Sequence, residues 1–124
     1  MSQDIVADTL NQMMNARRAG KSSLLVKRHS KLLLSVLAIA KLKGYVKSYK
    51  IEDRELKIEL GALLECNAIK PRFVVETEDI EKHVTRFLPA KYLGILIIST
   101  SSGLMTHQTA IDKNIGGSLI AYFY

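Results

Sequence analysis

The sequence predicts an α+β protein of two small lobes. The first spans residues 1–66 with the order α-β-α-β-β. The second spans residues 67–124, with mixed β/α content around a small, mostly antiparallel sheet. Three observations predict this. Two apolar segments of helical period are each closed by capping residues. Residues 55–60 alternate strictly between charged and apolar. Near Cys66–Asn67 the composition shifts, and residues 93–124 carry only Asp112 and Lys113 as charges.

Asp4 is placed to cap a first helix whose stripe is Ile5, Val6, Leu10, Met13 and Met14, and Gly20 ends it. "SLLV" (23–26) reads as a short strand. Ser30 caps a second helix running to Lys43, with Gly44 just past its end. Its apolar residues Leu32, Leu33, Leu34, Val36, Leu37, Ile39 and Leu42 cover most of the circumference, so burial on more than one side is expected. "GYVKSYKIEDRELKIEL" reads as a hairpin turning at Glu52–Asp53. "AIKPRFVVE" (68–76) reads as a strand whose Pro71 belongs at an edge or bulge. Residues 79–88 suit a short helix with Ile80, Val84, Phe87 and Leu88 on one face, stopped by Pro89. "YLGILIIST" is a buried strand, and Thr106 caps a short helix ending at Gly116–Gly117. "SLIAYFY" closes the chain as a strand.

At 124 residues and 48% hydrophobic content the chain can bury a core without staples. The single Cys66 forms no internal disulfide, which suits a reducing compartment. "MSQDIVADTL" has acids where a secretory signal needs bases. The run "LLLSVLAIA" is far short of the ~20 residues of a membrane span. A soluble intracellular protein is expected. The net charge of +6 favours a polyanionic partner. Lys21, Lys27, Arg28, Lys31, Lys41, Lys43, Lys47 and Lys50 fall within residues 21–50, which hold no acid.

Catalytic and metal readings find little support. Cys66 has no paired base nearby, and His29, His83 and His107 are scattered, as surface or partly buried residues would be. No Cys or His residues have ligand spacing. The acids Glu76, Glu78, Asp79 and Glu81 sit where a helix N-terminus favours negative charge. Neither a Walker loop nor GxGxxG is present, which leaves a small nucleotide-dependent enzyme as a remote alternative. The second helix is too apolar to lie in a DNA major groove. Another kind of nucleic-acid-binding module remains an alternative.

The stretch "IISTSSGLM" (97–105) is the candidate with chemistry. Short Ser and Thr hydroxyls both donate and accept, and they suit the shallow minor groove of A-form RNA with its 2′-hydroxyls and base edges. A solvated serine-rich turn explains the same residues equally well.

"GILIISTSSGLMTHQTAIDKNIGGSLIAYFY" closely resembles the universal small-subunit ribosomal protein eight family. "DIVADTLNQMMNA" and "SKLLLSVLAIAKLKGYV" resemble that family's first and second helices, so the resemblance covers the whole chain. "CNAIKPRF" and "RFLPAKYLGIL" are similar to its archaeal and eukaryotic branch, the archaeal type above all. The resemblance implies a non-enzymatic structural constituent of the small ribosomal subunit. Such a protein is a primary rRNA binder on a helix of the central domain that helps assemble the platform. It also implies rRNA contacts from the C-terminal lobe through Ser99, Thr100, Ser101, Gly103 and Thr106, with Gly116 and Gly117 closing the loop face. Asn15, Ser30, Lys31 and Arg72 are implied near the RNA backbone. Neighbouring small-subunit proteins are the other implied partners, and the location is cytoplasmic and ribosome-associated. No cofactor, metal, membrane or small-molecule substrate is implied. Ile5 departs from the family pattern, standing where a proline often follows the first aspartate.

Overall fold

The computed structural model describes residues 4–69, 72, 74–90 and 93–124. It divides into two compact units, 1–67 and 68–124. The architecture is α+β, with a three-stranded and a five-stranded sheet.

In the first unit, helix α1 (Ile5–Arg18) starts where the Asp4 carboxylate accepts the Ala7 N–H at 3.1 Å. It ends where Gly20, at φ +77°, lets the Lys21 N–H reach back to the Ala16 carbonyl at 2.9 Å. The buried stripe is Val6, Thr9, Leu10, Met13, Met14 and Ala16. Strand β1 (Ser23–Val26) leads to α2 (Lys31–Leu42), capped by Ser30 Oγ accepting from Leu33 N–H at 3.2 Å. Gly44, at φ +87°, ends that helix in the same manner. Burial on α2 is narrower than its composition predicts. Leu33, Val36, Leu37 and Ala40 are buried and Leu32, Leu34 and Ile39 are half-buried, while Leu42 is 84% exposed in the last turn.

Strands β2 (Val46–Glu52) and β3 (Glu55–Leu60) form the hairpin, and the sheet order is β1-β3-β2, antiparallel throughout. Leu56 and Ile58 of the central strand are fully buried, as their alternation predicts. The turn falls at Asp53–Arg54, one residue later than expected, because Glu52 pairs with Glu55. Both turn residues have positive φ, +47° and +69°, the twist that a two-residue hairpin requires.

Cys66 belongs to this unit's core. Its thiol donates to the Leu10 carbonyl at 3.7 Å, and Met14 Sδ accepts its backbone N–H at 3.2 Å. Burial, reinforced by the Glu65 charge, pushes the thiol from its ordinary 9.0 up to about 12. This is a packed thiol with no nucleophilic character.

The second unit begins at the end of β4 (Cys66–Ala68), followed by β5 (Val74–Val75). The expected single strand over 68–76 is therefore two short strands, and Pro71 lies outside the described residues. A 3₁₀ turn (Thr77–Asp79) leads into α3 (Ile80–Phe87), with Ile80, Val84 and Leu88 buried. Then come β6 (Ile95–Thr100), β7 (Gly103–Thr106), α4 (His107–Lys113) and β8 (Gly117–Phe123). The strand order is β4-β8-β6-β7, with β5 also pairing β8. Ile80 and Val84 of α3 and Ala110 of α4 pack with Leu96, Ile98, Met105 and Leu119 in one apolar core.

His107 departs from the sequence expectation of a surface or partly buried residue. It is 3% exposed, and its Nδ1 accepts the Leu96 backbone N–H at 3.2 Å. β7 pairs β6 only from Ile97 to Thr100, so Leu96 lies beyond the ladder and the imidazole takes the place of a missing strand carbonyl.

Two predictions follow from these cores. His107→Ala strands a buried N–H and should cost at least ~1–3 kcal/mol in urea denaturation. An unchanged midpoint would show that the imidazole bond contributes nothing. The Cys66 thiol keeps its proton in the folded state above the pH at which the unfolded thiol loses it. It should therefore contribute stability in full below pH 9 that is lost as pH rises from about 9 to about 12. Cys66→Ala should remove that part of the pH dependence, and the native thiol should resist alkylation until the protein unfolds.

Candidate nucleic-acid interface

Strand β6 changes character along its length. Ile95, Leu96, Ile97 and Ile98 are buried, and Ser99 and Thr100 are half-buried. The strand then turns through Ser101–Ser102, both exposed, into Gly103 of β7. What the sequence reads as a loop over 99–103 is thus a tight hairpin tip. Ser99 and Thr100 are strand residues paired with Leu104 and Gly103. Gly103, at φ +107°, supplies the positive backbone angle, and an added Cβ there would meet no atom within 4 Å. It is a glycine for its conformation, not for space.

Thr100 holds the tip together. Its hydroxyl donates to the Gly103 carbonyl at 2.9 Å and accepts the Ser102 N–H at 3.0 Å. Its proton is committed to the turn, so this hydroxyl holds the serines in position. Ser99 pairs across the ladder with Ser118 of β8. Directly opposed residues share a sheet face, so Ser99 and Ser118 form a hydroxyl row next to the buried pair Ile97 and Ala121. Sequence reasoning missed Ser118. Its signal is a small hydroxyl directly after the glycine pair, legible only with the strand register.

The glycine pair has a steric reason. A Cβ on Gly117 would run into the Ser99 carbonyl oxygen and come within 2.9 Å of Ile98 Cγ2. A Cβ on Gly116 would run into the Val75 carbonyl. Both glycines allow close backbone approach rather than presenting a surface of their own. Thr106 is 5% exposed, and its Oγ1 accepts the Thr109 N–H at 3.4 Å as the α4 cap. It serves the helix and offers no exposed contact, unlike the other hydroxyls of this hairpin.

Arg72 is exposed in the second unit. Glu76, Glu78, Asp79 and Glu81 cluster around the start of α3. The Glu76 carboxyl is pushed up by its hydrogen bond to Glu78 and by the charges of Glu78 and Asp79. That crowding of exposed negative charge disfavours a polyanion there.

In the first unit all eight cations of residues 21–50 are exposed: Lys21, Lys27, Arg28, Lys31, Lys41, Lys43, Lys47 and Lys50. Ser30 and Lys31 stand together at the start of α2. The Ser30 cap uses only its acceptor, which leaves its O–H able to donate. Lys31 is the first helical residue, and the first turn of α2 contains no acid. A cation there opposes the helix dipole at a cost of roughly 0.3–1 kcal/mol, a cost that a bound phosphate would offset. Asn15 is exposed on α1 and lines a shallow groove of about 470 Å³ with Gln12, Lys21 and Ser23. Lys21 is a second residue that spacing alone did not single out. Among the described residues, no group of three or more His, Cys, Asp or Glu is placed to hold a metal, and no helix is long and apolar enough to cross a membrane.

This geometry presents uncharged hydroxyls on a hairpin whose turn is closed by Thr100, and exposed cations on a separate unit. Comparison with known proteins matches nearly the whole chain to one family. The family model for ribosomal protein S8 matches residues 4–124. The small ribosomal subunit protein uS8 of Nanoarchaeum equitans is 44% identical over 129 residues, covering 100% of both chains. The proteins uS8A and uS8B of Schizosaccharomyces pombe are each 35% identical over 127 residues, covering 98% of both chains. With the family pattern matched from the cap of the first helix to the final residue, the chain is an archaeal-type member of the ribosomal protein S8 family.

Proposed function

We propose that this protein is a structural constituent of the small ribosomal subunit that binds the central domain of its rRNA directly and helps the platform assemble. It acts in the cytoplasm as part of the ribosome, beside neighbouring small-subunit proteins, and carries out no catalysis. The observation that carries this reading is the hairpin tip of a chain that matches the family over residues 4–124: small hydroxyls on a clamped turn, at the end of a buried strand.

The two units divide the work. The C-terminal unit supplies shape recognition. Ser99, Ser101 and Ser118 offer donors and acceptors to the RNA minor groove, Gly103 supplies the backbone angle that turns them there, and Thr100 closes the tip. Gly116 and Gly117 set the strand spacing beneath them, and Thr106 anchors the following helix. Asn15, Ser30, Lys31 and Arg72 meet phosphates and hold the RNA close without reading it. Preorganised hydroxyls lose little conformational freedom on binding, so their hydrogen bonds translate into affinity more fully than those of flexible side chains.

Filter binding of a central-domain rRNA fragment, bulk RNA and duplex DNA over a range of salt concentrations tests the division. Ser99→Ala/Ser101→Ala should keep the fold, as read by circular dichroism. Two lost hydrogen bonds of ~0.5–1.5 kcal/mol each should weaken the specific RNA roughly 5- to 150-fold. Parent-like affinity in that variant would refute hydroxyl recognition. Lys31→Ala should weaken all RNAs alike and lower the salt slope by about one. A loss confined to the specific RNA, at unchanged slope, would instead put Lys31 at a base edge.

A further inference from the structure

We propose that the tip of the β2–β3 hairpin docks a neighbouring protein of the small subunit, with Arg54 as its charged anchor and Ile51 as its apolar one. This rests on the ribosomal reading above and gives a surface to one of the protein partners.

The turn itself points to a use for its side chains. Asp53 and Arg54 are its two central residues, at φ +47° and +69°. A two-residue turn of this kind needs positive φ at both positions, and aspartate followed by glycine is the ordinary choice. Aspartate tolerates the first position. Arginine at the second holds a long side chain in a backbone region that favours glycine. Strain of that kind persists where the side chain serves a purpose that glycine cannot. The fold itself gives Arg54 none. It is exposed, and among the described residues its guanidinium makes no hydrogen bond or ion pair, although Glu52, Asp53 and Glu55 flank it. Glu52 pairs with Lys50 instead, at 2.6 Å. Ile51 is a second misfit at the same hairpin end. It stands directly opposite Leu56 and so shares its face, yet Leu56 is fully buried and Ile51 is 49% exposed.

The charges at the tip select the partner. Residues 50–57 balance Lys50, Arg54 and Lys57 against Glu52, Asp53 and Glu55, whereas residues 21–49 hold no acid at all. A phosphate approaching Arg54 meets those carboxylates, so a polyanion is the wrong occupant. A protein surface fits. One carboxylate on it engages the guanidinium through two parallel hydrogen bonds, and an apolar side chain covers Ile51. Glu52 and Glu55 stand directly opposite each other in the ladder and repel. A lysine or arginine next to the partner's carboxylate relieves that repulsion. The occupant is therefore a segment carrying both signs of charge around an apolar residue.

The test compares the free chain with small subunits that contain it. Hydroxyl-radical footprinting read by mass spectrometry should find Ile51 oxidised at least about 5-fold more slowly in the subunit, as water is excluded from a docked anchor. A short amine-reactive crosslinker on the exposed Lys50 should join the tip to another protein, and ultraviolet light should not join it to rRNA. Arg54→Gly should return Ile51 oxidation in the subunit toward the free rate. As a free chain, Arg54→Gly should melt at the same or a higher temperature, because glycine suits the turn, and should bind the central-domain rRNA fragment like the parent. Equal oxidation of Ile51 in the two states overturns docking, and so does a tip that crosslinks only to rRNA. Protection that survives Arg54→Gly removes the arginine from the contact. A variant that melts lower gives the side chain a place in the fold instead, and one that binds the fragment more weakly gives it to the RNA; either result refutes the assignment. If the chain is absent from small subunits, the ribosomal reading falls with it. If it is present with its tip open to solvent, only the docking surface is lost.

Discussion

The C-terminal unit depends on the antiparallel pairing of β6 with β8. The two strands meet from Ile95–Phe123 at one end to Ser99–Ser118 at the other, with a register shift between Ile97 and Ile98. Gly117 has no room for a side chain against the Ser99 carbonyl, so the two backbones come together at the point where the apolar strand turns polar. A larger residue there would push β8 away from β6 and separate Ser99 from Ser118. The same pairing buries Leu96, Ile98 and Leu119 against the helices. The core and the Ser99–Ser118 hydroxyl row are therefore consequences of one ladder, and neither can shift without the other.

The hairpin tip shows how a short segment is made rigid without bulk. Ser101 and Ser102 have no packing of their own, and the turn would be loose if backbone pairing alone held it. Thr100 closes it with two hydrogen bonds from one hydroxyl, and Gly103 takes the backbone angle that other residues resist. The serines are exposed, small and held in place. Such groups discriminate by shape and hydrogen-bond geometry, where a lysine at the same point would attract any phosphate nearby.

The N-terminal unit follows a different electrostatic logic. Its helices are capped by Asp4 and Ser30 and terminated by Gly20 and Gly44, all in accord with local propensity. Lys31 breaks that accord, since it places a cation at the positive end of α2. Natural sequences accept such local penalties at functional positions and offset them elsewhere. Thr9 is the one polar residue among the buried positions of α1, beside Val6, Leu10, Met13, Met14 and Ala16.

Much of this was legible in the sequence by itself. Caps, glycine stops and the alternation over residues 55–60 are local signals, set by hydrogen bonds within a few residues and by side-chain period. They determined both helices of the first unit, its hairpin and the serine-rich end of β6. The tertiary structure alone decided the rest, because it depends on partners distant in the chain. Strand β7 is four residues long and has no period of its own; it exists through its pairing with β6. His107 reads as a surface or partly buried residue, yet the end of that short ladder buries it to satisfy Leu96. The cap role of Thr106 is legible in the sequence, and only its burial takes it out of the hydroxyl surface. Ser118 joins Ser99 only through strand register, since a contact across a sheet leaves no trace in the spacing of residues along the chain.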